Sequence, residues 1–321
     1  MLRRTSHQTH SRWGVAQQQP TILAVIFNFS STAFSMSAAG LALLLIGLLT
    51  AKNDIAQARG IDKVVALTHL CFAIPLAVFG AEHLSDGNSL LNAVPSYMPW
   101  RLFWVYFVGF ALIAASLSIA TKIQVRWSGL LFAVMMFLFV AMLHIPGAVT
   151  AGGRIAWTIV FREMSFGGGG LVLAGIAMGW DRQGKSLITV GRALIAIAAI
   201  FFGIQHFLHP LGLPGVPLEK QMPTWVPGRA FIDYLTGTFL IVAGVCFLLA
   251  RETGMAATYL GAWIVLLVAV IYGPVLIGAL ADPSPGVKVE GLNYFADTLL
   301  FGGVILSLAR DNTPIPVHER K

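Results

Sequence analysis

Charge is the first thing this chain lacks. Asp, Glu, Lys and Arg make up 11% of its 321 residues, against about a quarter in soluble domains, so an ordinary water-facing surface is excluded. Interruptions of apolar sequence are scarce as well: 57% of residues are hydrophobic. Runs of about 20 apolar residues recur, each long enough to cross roughly 30 Å of hydrocarbon as a helix. The runs do not alternate over about ten residues as membrane-barrel strands do, and lipid admits only helices or closed barrels. Cysteine is nearly absent. Cys71 and Cys246 each fall inside an apolar run, and without a C-x-x-C they read as packing thiols. No His/Cys cluster has zinc spacing, so no metal site is expected, and there is no phosphate loop or nucleophile elbow. The glycine run FGGGGLVLAG (166–175) lies within an apolar helix, where close helix packing explains it. The net charge of +7 gathers on no soluble face, which excludes nucleic acid and leaves the lipid bilayer as the partner the composition demands.

What is present reads as an all-α membrane protein of about nine spans. Residues 1–19 form a polar tail with Arg3, Arg4 and Arg12. Residues 20–61 hold an extra N-terminal membrane helix near 34–51 and its loop. The interruption NFSSTAFS allows a half-inserted segment before that helix, and a signal peptide is the competing reading, set back by the want of a small-residue cleavage site. Eight helices follow near 63–84, 101–120, 127–149, 162–180, 187–208, 229–250, 256–279 and 292–309, before a polar tail at 310–321.

Those eight helices read as two copies of four, 62–180 and 187–309. FGAEHL (79–84) matches FGIQHF (202–207), and MPW (98–100) matches MPTW (222–225) in the loop that follows. WVYFVGFALIAA (104–115) aligns with IDYLTGTFLIVA (232–243), pairing Tyr106 with Tyr234 and Gly109 with Gly237. LHIPG (143–147) aligns with IYGPV (271–275), pairing His144 with Tyr272 at the same offset of 128 positions. EMSFGGGG (163–170) and DTLLFGGV (297–304) then pair Glu163 with Asp297. Ordered matches of this kind indicate duplication. An even number of helices per copy makes the two four-helix bundles parallel, packed on each other about an axis along the membrane normal. Loops 51–62, 121–126, 181–186 and 251–255, with the C-terminal tail, hold about twice the Lys and Arg of the opposite loops, which places them in the cytoplasm. The expected location is therefore the cell's inner membrane, crossed many times. The basic N-terminal tail then falls outside, against the same rule.

Ionisable residues within membrane helices are costly and become functional candidates by default. The set is His69, Glu82, His83, His144, Glu163, Arg192, His206, Asp233 and Asp297. His83 recurs as His206, whereas Glu82 becomes Gln205, so the imidazole is what the shared architecture keeps. Two readings stand side by side. In one, the histidine pins the Pro/Trp-rich loop (85–100 or 209–228) over its bundle. In the other, His83 with His144, beside Glu82, and His206 with Tyr272 line a polar site beneath the loop, where imidazole and phenol suit a quinone carbonyl. His69 and His83, 14 residues apart, point the same way roughly 21 Å apart, as in two-haem cytochrome b helices. The matching helix offers His206 but places Arg192 opposite His69, which argues against haem.

F-G-x-x-H at the end of a first helix, a Pro/Trp loop, Y-x-x-G on a second and LHIPG closing a third resemble the DoxX-like family of bacterial membrane proteins. The resemblance covers about 62–180 and again 188–309, and it implies a tandem of a four-helix unit that is usually single. It further implies membrane redox work, with quinone as the cofactor and a redox protein subunit as partner. It transfers no catalytic residues and leaves open whether the chain is an enzyme. A non-catalytic membrane anchor or assembly factor is the alternative, and a small-solute transporter a third.

Overall fold

The structure, a computed structural model, describes residues 31–179 and 181–310. The two polar tails, the segment before residue 31 and the end of the first repeat at 180 lie outside the described residues. Every element is helical: α1 (Thr32–Gln57), α2 (Asp62–Ala66), α3 (Thr68–Ser85), α4 (Arg101–Thr121), α5 (Val125–Phe139), α6 (Ile145–Ala151), α7 (Arg154–Met178), α8 (Arg182–Leu208), α9 (Arg229–Leu248), α10 (Thr253–Leu267), α11 (Gly273–Ala281) and α12 (Pro285–Arg310). Single turns of π-helix, Val140–His144 and Val268–Tyr272, join α5 to α6 and α10 to α11. Eight of the described segments are long and apolar enough to span a bilayer, and the chain is a multi-pass helical membrane protein.

The count is eight where nine were expected. The region expected as a span at 63–84 is broken after Ala66, and its main part, α3, carries Pro75 together with His69, Glu82 and His83. Most of α3 is buried. It is an internal helix, covered by α1 and α4 on one side and by α12 on another. α7 and α12 are the other two inner helices, with 72% and 83% of their apolar windows buried. The outer helices turn Leu41, Leu45, Phe107, Phe110, Leu131 and Ile277 outward, as a lipid-facing surface requires.

Helices α3–α7 and α8–α12 follow the same succession: helix, helix, helix with a π-turn, helix. Each π-turn ends two residues before a proline, Pro146 or Pro274. Proline lacks an N–H and its ring clashes with the carbonyl four residues back, and a wider turn absorbs that clash. Gly80 packs against the backbone of Gly109 in the first set, and Gly203 against that of Gly237 in the second. These are the residues that the sequence matches pair. Across the two sets, α7 packs on α8 and α12 on α3.

Glycine lets α7 and α8 touch along their length. A Cβ on Gly168 would stand 2.9 Å from the carbonyl oxygen of Gly191, and one on Gly175 2.7 Å from that of Gly184. The glycines lie seven apart on each helix, so they recur on one face. We expect Gly191→Leu to force these helices apart and lower stability by about 1–3 kcal/mol, seen as an earlier thermal unfolding transition in detergent. Gly147→Leu, where nothing lies within 4 Å of the new Cβ, should leave that transition in place.

Candidate functional site

Both long loops emerge at one end of the bundle. Arg154, the first residue of α7, donates from Nη1 to Pro217 O in the 209–228 loop (2.8 Å), and Lys220 pairs with Glu290 near the start of α12 (3.1 Å). One turn further along α12, Asn293 Nδ2 donates to Glu82 Oε1 at the end of α3 (3.0 Å). Below that end the bundle holds its main concentration of charge. Arg162 donates from Nη1 to Asp297 Oδ2 (2.6 Å), and from Nη2 and Nε to Glu163 Oε1 (2.7 and 3.1 Å). Glu163 and Asp297 are buried, and the guanidinium is only 16% exposed. Glu82 lies within electrostatic range of Asp297, and His144 of Glu163 and Arg162.

Arg162 was missing from the sequence-derived candidates because the helix was expected to begin there. It begins at Arg154 instead. Gly152 and Gly153, at φ 68° and 85°, reverse the chain in two residues, and the apolar RIAWTIVF (154–161) is then free to start a new helix. Arg162 therefore sits about 12 Å inside α7. Asn293 was missed for the same reason: α12 starts at Pro285, a favoured first helical residue, rather than at 292. The signal that was available is the pairing of Glu163 with Asp297. Two equivalent buried acids facing each other call for a cation between them.

The five residues expected at polar sites fall in two groups, one in each helix set. His206 and Tyr272 belong to the 209–228 loop. His206 Nε2 lies 3.1 Å from Gly215 N, whose N–H it accepts, and 3.3 Å from Gly215 O, while Nδ1 stands 3.1 Å from Asp233 Oδ1, close but not aligned as a hydrogen bond. Asp233 Oδ2 accepts from Leu211 N–H (2.6 Å), and Tyr272 O–H donates to Pro214 O (2.9 Å). His206, Asp233 and Tyr272 are all but fully buried, as are Leu213, Val216, Met222 and Val226 of the loop. The loop is thus inserted into the top of α8–α12, and a cavity of about 380 Å³ lined in part by Arg154, His206, His209 and Leu211 opens beside it.

The first set differs. His83 donates from Nδ1 to Phe79 O one turn back in its own helix (2.8 Å), leaving Nε2 as a lone-pair acceptor. The position matching Asp233 is Val105, which offers no anchor. Of residues 86–100 only Gly87 is buried, and Trp100 and Tyr97 are exposed. Arg101 fastens this loop from outside by donating to Val94 O and Leu91 O. Glu82, His83 and His144 are half-buried.

At the other end His69 takes Arg310 rather than a facing histidine, Arg310 Nη1 standing 3.1 Å from Nδ1. Among the described residues no three His, Cys, Asp or Glu side chains converge as metal ligands. No protein-family model matches this chain, and no curated protein or solved structure matches it either.

The bonds to the loop make an ordered prediction. Asp233→Ala leaves the Leu211 amide unpaired inside the protein, a cost of about 1–3 kcal/mol. Hydrogen exchange at Leu211 and Gly215 should accelerate about tenfold or more, and trypsin should cut at Lys220 sooner. His83→Ala, whose imidazole hydrogen-bonds within its own helix, should leave both readouts unchanged.

Proposed function

We propose that the chain is a fused pair of DoxX-like four-helix units, 62–180 and 187–309, and that it serves in the inner membrane as the integral subunit of a quinone-linked redox system. In this reading the first unit holds the working site and the second has become structural. The observation that carries it is the contrast between the units: His206 and Tyr272 are spent on the loop, whereas His83 and His144 are half-buried and Nε2 of His83 is unused. A lone-pair imidazole of fixed tautomer accepts a hydrogen bond from a quinol hydroxyl. Glu82, beside it in sequence and bonded to Asn293, supplies a carboxylate at the rim where a proton can pass to water.

The apolar packing beneath the charge also supports a dead-ended site over a transport path. Toward the opposite end the interior is filled by Phe72, Phe166, Phe202 and Phe301, all fully buried, and Gly169 lies against Val304 and Phe72.

A second reading has its own support. The loop fastened by His206, Asp233 and Tyr272 is what a non-catalytic anchor or assembly factor would need, with a fixed outer surface for a partner. Lipid extraction separates the two. Under the redox reading, wild-type protein purified in mild detergent carries quinone at about one per chain, and His83→Ala with His144→Ala lowers it at least tenfold without moving the melting transition. Protein that carries none, and binds none when ubiquinone-1 is added, is an anchor.

A further inference from the structure

In the second unit a stretch of the protein's own chain sits where a ligand would sit. Leu213, Pro214, Gly215 and Val216 are buried inside the mouth of α8–α12. Tyr272 O–H donates to the Pro214 carbonyl (2.9 Å), and His206 Nε2 accepts the Gly215 N–H (3.1 Å). Leu213 and Val216 fill apolar space on either side. A Cβ on Gly215 would meet Thr298 on α12 at 3.2 Å and Ile264 on α10 at 3.6 Å, so the segment reaches the inner walls of the bundle. What the walls recognise is small and apolar, with one carbonyl acceptor and one hydrogen-bond donor.

The same two positions in the first unit are His144 and His83. His83 and His206 turn Nδ1 toward an acceptor, the Phe79 carbonyl in one case and the Asp233 carboxylate in the other. Each therefore offers Nε2 as an acceptor, and in the second unit a backbone N–H already uses it. We propose that the second unit contains a latent binding site for a quinol, and that residues 213–216 occupy it as a built-in stand-in for the ligand. The proposal rests on the quinone reading of the first unit. The occupant is specific to this unit, because Asp233, which anchors the start of the loop through Leu211 N–H (2.6 Å), is Val105 in the first.

Gly215 provides a way to expel the segment without shortening the chain. Its φ of 110° is a conformation that side chains with a Cβ avoid, so Gly215→Val meets both strain and Thr298. A second variant replaces 212–219 with a Gly/Ser linker of equal length. Each is tested in the full chain, with size-exclusion and helical circular dichroism to establish folding and faster trypsin cleavage at Lys220 to establish that the loop is out. Ubiquinol-1, kept reduced under anaerobic conditions, is then measured as molecules bound per chain by equilibrium dialysis. We expect a rise from one to two, with Tyr272→Phe in the opened protein weakening the added site about tenfold and leaving the other alone. A folded, opened protein that still binds one overturns the proposal and leaves the redox reading standing. If wild type binds none, the redox reading fails; a rise from none to one on opening would still establish the second-unit site, and none in either protein would overturn both.

Discussion

Arg162 is the residue on which the centre of this protein depends. Glu163 and Asp297 come from the fourth helices of the two sets, α7 and α12, and both are buried. Two carboxylates brought together away from water repel and have lost their hydration. A guanidinium between them converts that arrangement into charge-assisted hydrogen bonds, and its planar fork suits two carboxylates at once in a way an ammonium does not. The position that pairs with Arg162 across the repeat is Ala296. One cation therefore serves both halves, and it fixes the register of α7 against α12 at one depth. Around that point the glycine seam joins α7 to α8, and α12 lies against α3.

The helix sets α3–α7 and α8–α12 share a frame and differ in the side chains at its mouth. Gly80 with Gly109, Gly203 with Gly237 and the two π-turns before proline are backbone features, and they survive because helix approach distance leaves little room for alternatives. The side chains at the mouth are free of that constraint. There Val105 stands against Asp233, His144 against Tyr272 and a loop on the surface against a loop in the interior. A buried Asp233 would be costly without its amide partner, so the acid and the inserted loop belong together.

The helical class, the number of long apolar segments to within one, and the succession of elements were all legible in the sequence, since hydropathy and length are local properties. The starts of α7 and α12 were not. Gly152–Gly153 and Pro283–Pro285 mark turns, but they do not say that apolar residues just after them already belong to the helix. That error hid Arg162 and Asn293 together, because a charge at a helix end needs no partner and one two turns inside does. His206 raised the right question in the sequence. Its answer lies in Gly215, a residue nine positions away that only the path of the loop brings to the imidazole. Nor could the sequence show that α3 is shielded from lipid, since burial depends on which helices surround it.

The central claim is that Arg162 and Asp297 act on each other across the two halves. A double-mutant cycle with Arg162→Met, Asp297→Asn and the pair, read from reversible unfolding in detergent, measures that interaction directly. The account predicts that each single change is more destabilising than the pair would suggest, with a coupling of about 1 kcal/mol or more, as for close buried charges. Effects that add to within about 0.5 kcal/mol would contradict it.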